Sequence, residues 1–374
     1  MKILLLANPN SSHTIKWAKS LSDSGINVFL FGFGSLMVND YLNESNITIL
    51  FSPLKMSEKE GALSKLLILG ALVKLRKLIK KCQPDIIHAH YATSYGLIGA
   101  LTGFHPFVLS VWGSDVYSFP QISFLHKMVL EYNLKKADKI LSTSYVMANE
   151  TKKYTNKPIE VTPFGIDLKQ FFPQLAESPF NEGCLVIGTV KTLEEKYGIE
   201  YLIRAFKSVV DKYPELPLRL LVVGGGSLFV KFDTMIKELG IQEKAILTNK
   251  VPFGDVARYQ NMLDVSVSVS TEDSESFGVA VLEAQACGKP VIVSNVGGLP
   301  EVVQDGVTGI IVPPADLDAT AEAIERLVND KTLREKMGSA GRERVEKYFN
   351  WDDNVKQMVD IYNKILDKSS KCIY

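Results

Sequence analysis

Residues 265–293 read VSVSVSTEDSESFGVAVLEAQACGKPVIV. Val265 to Val269 has the length and β-branched content of a buried strand, Ser270 to Gly278 is a polar loop, and Val279 to Cys287 is a helical run closed by Gly288-Lys289-Pro290. The next apolar run, Pro290 to Val293, restarts the strand signal. Strand, loop, helix and strand in succession is the repeating unit of a parallel sheet with helices on its faces. The alternation extends both ways. Strands are predicted at Leu185 to Val190, Leu218 to Val223, Ala245 to Thr248 and Gly309 to Val312. An earlier series comprises Lys2 to Ala7, Val28 to Phe33, Ile47 to Phe51, Asp85 to His88, Phe107 to Trp112 and Lys139 to Ser142, with helical patterns at 58–82, 93–103, 121–136 and 145–153. The punctuated segment Thr162-Pro163-Phe164-Gly165-Ile166-Asp167 separates the two series. The pattern predicts an α/β protein of two doubly wound, Rossmann-like domains, residues 1–165 and 166–351. Ligands of such sheets bind beyond the carboxyl ends of the strands, which makes an interdomain cleft the expected site.

The length of 374 residues agrees with two to three domains of about 150 residues. An apolar share of 46% with 22% charged residues and a mean hydropathy of +0.07 excludes disordered, collagenous and low-complexity readings. The longest apolar stretches fall short of a membrane span, and Met1 to Leu6 lacks a cleavable signal pattern, so a cytoplasmic protein is expected. Cys82, Cys184, Cys287 and Cys372 lie far apart, with neither a Cys-x-x-Cys nor a Cys/His cluster, and read as free thiols without a metal role.

Lysine plus arginine and aspartate plus glutamate both number 42, so the chain is neutral and no nucleic acid is an expected partner. Its halves are not neutral. Residues 1–165 carry 18 basic and 11 acidic side chains, and residues 166–374 carry 24 and 31. Part of this positive charge sits on a predicted helix, 62–81, which has no acidic residue. Leu67, Ile68, Ala71, Leu75, Leu78 and Ile79 form its core-facing stripe. Leu66, Leu69, Leu72 and Val73 are predicted to point away among Lys65, Arg76, Lys77 and Lys80, as on a surface that meets anionic lipid.

Candidate site residues fall in post-strand loops. Glu275 precedes the helical run and Glu283 follows eight residues later. A helix N-terminus is a suitable seat for a diphosphate, and carboxylates accept hydrogen bonds from sugar hydroxyls. Lys191 and Lys196 follow the strand Leu185 to Val190 and offer cations for a leaving diphosphate. Gly224-Gly225-Gly226-Ser227 lacks the third glycine of a dinucleotide fingerprint, Phe229 standing there, so Gly225 is read as a backbone approach to donor phosphate or base. Asp316-Leu317-Asp318 reads as a helix cap rather than a metal-binding pair. His88 and His90 share one strand face without a third ligand nearby in sequence, so no metal site is predicted.

The block Glu275-Ser276-Phe277-Gly278 to Glu283-Ala284, then Ala286-Cys287-Gly288-Lys289-Pro290-Val291 and Gly297-Gly298, resembles the Glu-x7-Glu region of glycosyltransferase family 4, the retaining GT-B enzymes. Pro163-Phe164-Gly165-Ile166-Asp167, the glycines at 224–226 and Phe349-Asn350-Trp351 extend the resemblance over most of the chain. It implies that Glu275 contacts the donor sugar and Glu283 the ribose, with the N–H groups of Phe277 and Gly278 near sugar and phosphates and Ser276 beside them. It also implies that a C-terminal helix of about 352–374 packs back on the first domain. Lys191 stands where the family usually has arginine, and Trp112, in Val111-Trp112-Gly113-Ser114-Asp115, where it often has histidine. Asp115 is then expected to supply polar contact to the sugar, or Trp112 to stack on it. The loop Asn8 to His13 lacks the family's frequent paired glycines, and His13 is its one titratable group. His13, Trp112 and His90 are the acceptor-side candidates.

The resemblance implies a hexosyl transfer from a nucleotide sugar to a glycan or lipid-linked hydroxyl, without a metal or other cofactor, and peripheral attachment to the inner membrane face through helix 62–81. A sugar-nucleotide epimerase or phosphorylase of the same architecture, or a non-catalytic sugar-binding protein, are the alternatives.

Overall fold

Short apolar runs with almost no polar interruption build two parallel sheets. The structure is a computed structural model and describes residues 1–37, 41, 44–52 and 62–371. The chain divides into two compact units, residues 1–163 with 354–374, and residues 164–353. The first contains β1 (Lys2–Leu6), β2 (Asn27–Phe33), β3 (Ile47–Ser52), β4 (Ile86–His90), β5 (Phe107–Val111), β6 (Lys139–Ser142) and β7 (Ile159–Val161), in the order β3-β2-β1-β4-β5-β6-β7. The second contains β8 (Leu185–Val190), β9 (Leu218–Val223), β10 (Ala245–Thr248), β11 (Val265–Ser268), β12 (Val291–Ser294) and β13 (Gly309–Val312), in the order β10-β9-β8-β11-β12-β13. The chain order reverses direction between β1 and β4 and between β8 and β11. Each break opens a crevice at the strands' carboxyl ends, where this architecture receives ligands.

In the first unit, Leu4, Leu6, Ile87, Ala89, Leu109 and Val111 line one sheet face beneath the helices 62–82, 94–102 and 124–136. Alternation of side chains sends His88 and Ser110 to the other face. There the C-terminal helix, Trp351–Lys371, buries Tyr362 completely. The second unit is centred on Ile187, Leu220, Val222, Val265 and Val267 with the helices 199–212 and 317–329. Its two ends meet: Ile166 N–H donates to Phe349 O at 2.7 Å and Trp351 N–H to Ile166 O at 3.0 Å. The junction segment and the late Phe-Asn-Trp are thus one bridge.

Four expectations change. β4 ends at His90 rather than His88, which puts His90 on the last strand position. β7, three residues long and only partly buried, carries too short an apolar run to signal itself. The helical pattern 121–136 is two helices, Phe119–Ile122 and Phe124–Lys136, because Ser123 is extended (φ −166°, ψ 166°). Finally, Leu72 is only 7% exposed and joins Ala71 and Leu75 in burial, whereas Val73 is exposed. At that point the helix turns outward one valine and a row of cations, Lys74, Arg76, Lys77 and Lys80, rather than leucines interleaved with cations. The side chains of Lys65, Leu66, Leu67, Ile68 and Leu69, like Cys372, lie outside the described residues. Among the described residues no helix is long and apolar enough to cross a membrane.

Candidate functional site

At the β8/β11 break of the second unit the predicted charges pair with each other. Lys191, just past β8, donates from Nζ to Glu275 Oε2 at 2.7 Å, and both side chains are largely buried. Tyr197 was not anticipated. Lys191 Nζ lies 4.3 Å and Lys196 Nζ 5.0 Å from its ring centroid, so one aromatic ring meets both cations. Tyr197 is the sole aromatic residue in the loop 191–198, which was the available signal. Burial pulls the Lys191 ammonium down, but Glu275, Tyr197 and Glu283 outweigh it and hold its pKa above the ordinary lysine value. Lys191 is therefore charged at any physiological pH.

Backbone contacts fix these loops. Thr271 N–H donates to Lys196 O at 2.8 Å, and Gly198 (φ +65°) lies where a Cβ would meet Val269 O at 1.9 Å, so only glycine lets the β8 and β11 loops approach this closely. Glu275 is held likewise. Gly298 N–H donates to its carbonyl at 2.9 Å, and a Cβ on Gly297 (φ +49°) would stand 2.1 Å from that oxygen. Glu194 accepts from Ser227 N–H at 2.9 Å and Ser227 Oγ at 2.6 Å, tying in the loop that follows β9. Gly225 packs against Asn249, whose Oδ1 a Cβ would meet at 2.6 Å; a protein neighbour already accounts for its lack of a side chain. Ser276 precedes Phe277, which is buried between the rings of Phe164 and Phe349, at 6.0 and 5.9 Å between centroids. Gly278 caps the helix Val279–Ala286 with φ +97°, and no acidic side chain occupies the first turn. Glu283 is buried in the second turn of that helix.

In the first unit the carboxyl ends of β1, β4 and β5, with the segments that follow them, gather His13, His90, Tyr91 and Trp112. Trp112 lies over His90 with ring centroids 4.4 Å apart, and meets Tyr91 and His13 edge-on at 5.8 and 6.0 Å. Tyr91, also not anticipated, has φ +77°, a strained backbone for a bulky residue at the end of a strand. Burial and neighbouring Lys16 push His13 down to about 4, so it is neutral at pH 7. His90 is 3% exposed, and its Nδ1 has no hydrogen-bond partner. Beneath it, His88 joins Tyr362 Oη at Nδ1 and Ser110 Oγ at Nε2, both at 2.7 Å.

Two family models match: "Glycosyl transferase 4-like" over residues 2–144 and "Glycosyl transferases group 1" over residues 171–344. The capsular polysaccharide biosynthesis glycosyltransferase CapM of Staphylococcus aureus is 31% identical over 333 residues, covering 80% of this chain and 82% of CapM. The chain belongs to glycosyltransferase family 4 and has the GT-B fold. N-acetyl-alpha-D-glucosaminyl L-malate synthase of Bacillus anthracis is 28% identical over 319 residues, 80% of each chain. Anabaena HepE, solved with UDP-glucose, superposes with a TM-score of 0.78 at 19% identity, covering 97% of this chain and all of HepE.

Two expected roles in this glycosyltransferase are corrected. Asp115 is not free to touch a sugar: its oxygens accept from the backbone N–H groups of Ala92 (2.8 Å), Gly113 (2.8 Å) and Trp112 (3.1 Å), and its side chain is buried. Burial raises its pKa against those three backbone bonds, and its work is to lock the Trp112 loop onto the β4 loop. His90 is 3% exposed beneath the Trp112 ring, which leaves it little surface for an acceptor; the partly buried indole lies over it. Asp316 caps the helix Leu317–Asn329 by accepting from Ala319 N–H at 2.9 Å, in line with the capping reading. Among the described residues no three His, Cys, Asp or Glu side chains stand together as a metal site.

Proposed function

We propose that this glycosyltransferase moves a hexosyl unit from a nucleoside diphosphate sugar to a hydroxyl of a glycan or lipid-linked acceptor with retention of configuration, in cell-surface polysaccharide synthesis on the cytoplasmic side of the membrane. The observation that carries the reading is the Lys191–Glu275 pair on the Tyr197 ring, with Lys196 beside it, at the carboxyl ends of β8 and β11. Without donor, Glu275 compensates the buried Lys191. An arriving diphosphate takes over Lys191 and Lys196, which frees Glu275 to accept hydrogen bonds from the sugar hydroxyls. As the C1–O bond to phosphate breaks, the lysines and the N–H groups of Phe277 and Gly278 stabilise the oxyanion. The departing phosphate oxygen takes the acceptor proton while the acceptor oxygen bonds to C1 on the same face. Glu283 holds the ribose. The named capsular relative and the UDP-glucose in HepE favour a polysaccharide product and a nucleotide-sugar donor.

A thermal-shift screen against UDP-, GDP- and ADP-sugars identifies the donor, since a ligand that binds only the folded state raises the melting temperature. Proton NMR of the product then reads the anomeric configuration. Retention relative to the donor is the expected result; an inverted product overturns the mechanism, and free epimerised sugar nucleotide without transfer overturns the reaction class.

We also infer that lysines, rather than a divalent ion, neutralise the leaving group. Excess EDTA is expected to leave initial rates within about twofold, and a rate abolished by EDTA and restored by magnesium or manganese would reassign the charge-neutralising role.

A further inference from the structure

Tyr197 meets both cations of the second unit's site, and the donor chemistry described above gives it no task. Its ring is held from several sides. Tyr197 ends the short turn Glu195–Tyr197, in which Tyr197 N–H donates to Glu194 O and Gly198 N–H to Glu195 O, both at 3.1 Å. Gly198, next in the chain, packs so closely on Val269 O that no side chain fits there. Lys196, the residue before, accepts at its carbonyl from Thr271 N–H at 2.8 Å. The Tyr197 side chain itself packs on the hydrophobic core of the second unit. A turn anchored in this way presents its ring at a defined place, which is what a precise site needs from its supporting residues.

Lysine needs such support more than arginine does. Its ammonium is a point charge on a flexible four-carbon stem, whereas a guanidinium is a rigid planar fork. The two lysines are also compensated differently. Lys191 Nζ pairs with Glu275 Oε2 at 2.7 Å. Lys196 is half-buried, and among the described residues no carboxylate stands within ion-pair distance of it. Glu194, the acid whose pKa Lys196 helps to lower, has both oxygens engaged by Ser227. What Lys196 meets instead is the Tyr197 ring, 5.0 Å from Nζ to centroid. An aromatic ring attracts an ammonium through its quadrupole and carries no net charge, so it places two like charges without neutralising them as a carboxylate would. The positive field stays available to an arriving anion.

We propose, resting on the nucleotide-sugar reading, that Tyr197 is a positioning residue: its ring sets Lys191 and Lys196 as a two-cation seat for the two linked phosphates of the donor. Before donor binds, Glu275 balances Lys191 and the ring alone attends Lys196. Once the diphosphate displaces Glu275 from Lys191, the two ammonium groups face the anion together, and the ring is the protein group that still holds both. Without it the flexible stems are free to leave the seat, and each lysine has to be ordered by the ligand itself. The loss falls on the diphosphate and spares the nucleoside, which the ring-held lysines do not serve.

Calorimetric titration of the full chain with UDP, GDP and ADP, each beside its monophosphate, tests the seat. Wild type is expected to bind one of the diphosphates about tenfold or more tightly than the matching monophosphate. Tyr197→Leu, which keeps an apolar side chain against the core, is expected to reduce that ratio about tenfold. Tyr197→Phe, which keeps the ring, is expected to hold the ratio within about twofold of wild type. A role confined to packing would weaken diphosphate and monophosphate alike, and a ratio unchanged in Tyr197→Leu therefore overturns the proposal. Tyr197→Phe falling as far as Tyr197→Leu also overturns it and assigns the effect to the hydroxyl. The donor reading fails separately, in wild type: a chain that binds none of the three diphosphates overturns the nucleotide-sugar donor and the seat with it, and one that binds a diphosphate no better than its monophosphate overturns the seat alone.

Discussion

Replacing Glu275 by alanine is expected to lower turnover by about two to three orders of magnitude while nucleotide affinity stays within a few-fold. The carboxylate has two tasks: it compensates a buried ammonium 2.7 Å away in the ligand-free protein and, in the proposed reaction, orients the sugar. Losing an interaction made strongest at the transition state costs about 10²–10³ in kcat. The residual diphosphate contacts are supplied by Lys191 and Lys196, which the substitution leaves in place. Glu283→Ala should behave differently, weakening nucleotide and sugar nucleotide alike, because ribose is common to both. Steady-state kinetics with calorimetric nucleotide titration separate the two patterns. Equal and small effects from both substitutions would remove the assignment of sugar to Glu275 and ribose to Glu283.

Mild acid is the second large perturbation. Burial lowers the His88 pKa to about 3 and takes His90 well below the ordinary histidine value, with His88 and His13 adding to the latter. The unfolded chain binds a proton at each near pH 6.5 and the folded chain does not, so both sites contribute full stability above pH 6.5 and lose it as pH falls toward 3. At pH 5 the neutral His88 imidazole forfeits about 2 kcal/mol relative to pH 7, and His90 adds to the loss in the same direction. For a unit of this size the His88 share alone is a fall in melting temperature of roughly 5 °C. Thermal unfolding of wild type and of a His88→Gln, His90→Gln variant at pH 7 and pH 5 measures it. The variant is expected to be less stable at pH 7 but to show a shallower decline. Parallel declines would show that these imidazoles do not carry the acid sensitivity.

The sequence by itself determined every strand but the short β7, and the main helices of the first unit, since a strand or an amphipathic helix is written in neighbours a few residues apart. The runs around Val265, Leu185 and Leu218, the paired series on either side of residue 163, and the loops that hold Lys191, Lys196, Glu275 and Glu283 were all legible in this way. Partners were not. Lys191 and Glu275 are 84 residues apart, and they meet because β8 pairs with β11, a neighbour three strands later in the chain. His88 and Tyr362 are 274 residues apart, joined only once the last helix covers the sheet face that alternation assigned to His88. The same cause redirected Asp115 from substrate to backbone, put Trp112 over His90 and buried Leu72: which side chain faces solvent depends on which element lies beside it, and local periodicity carries no record of that.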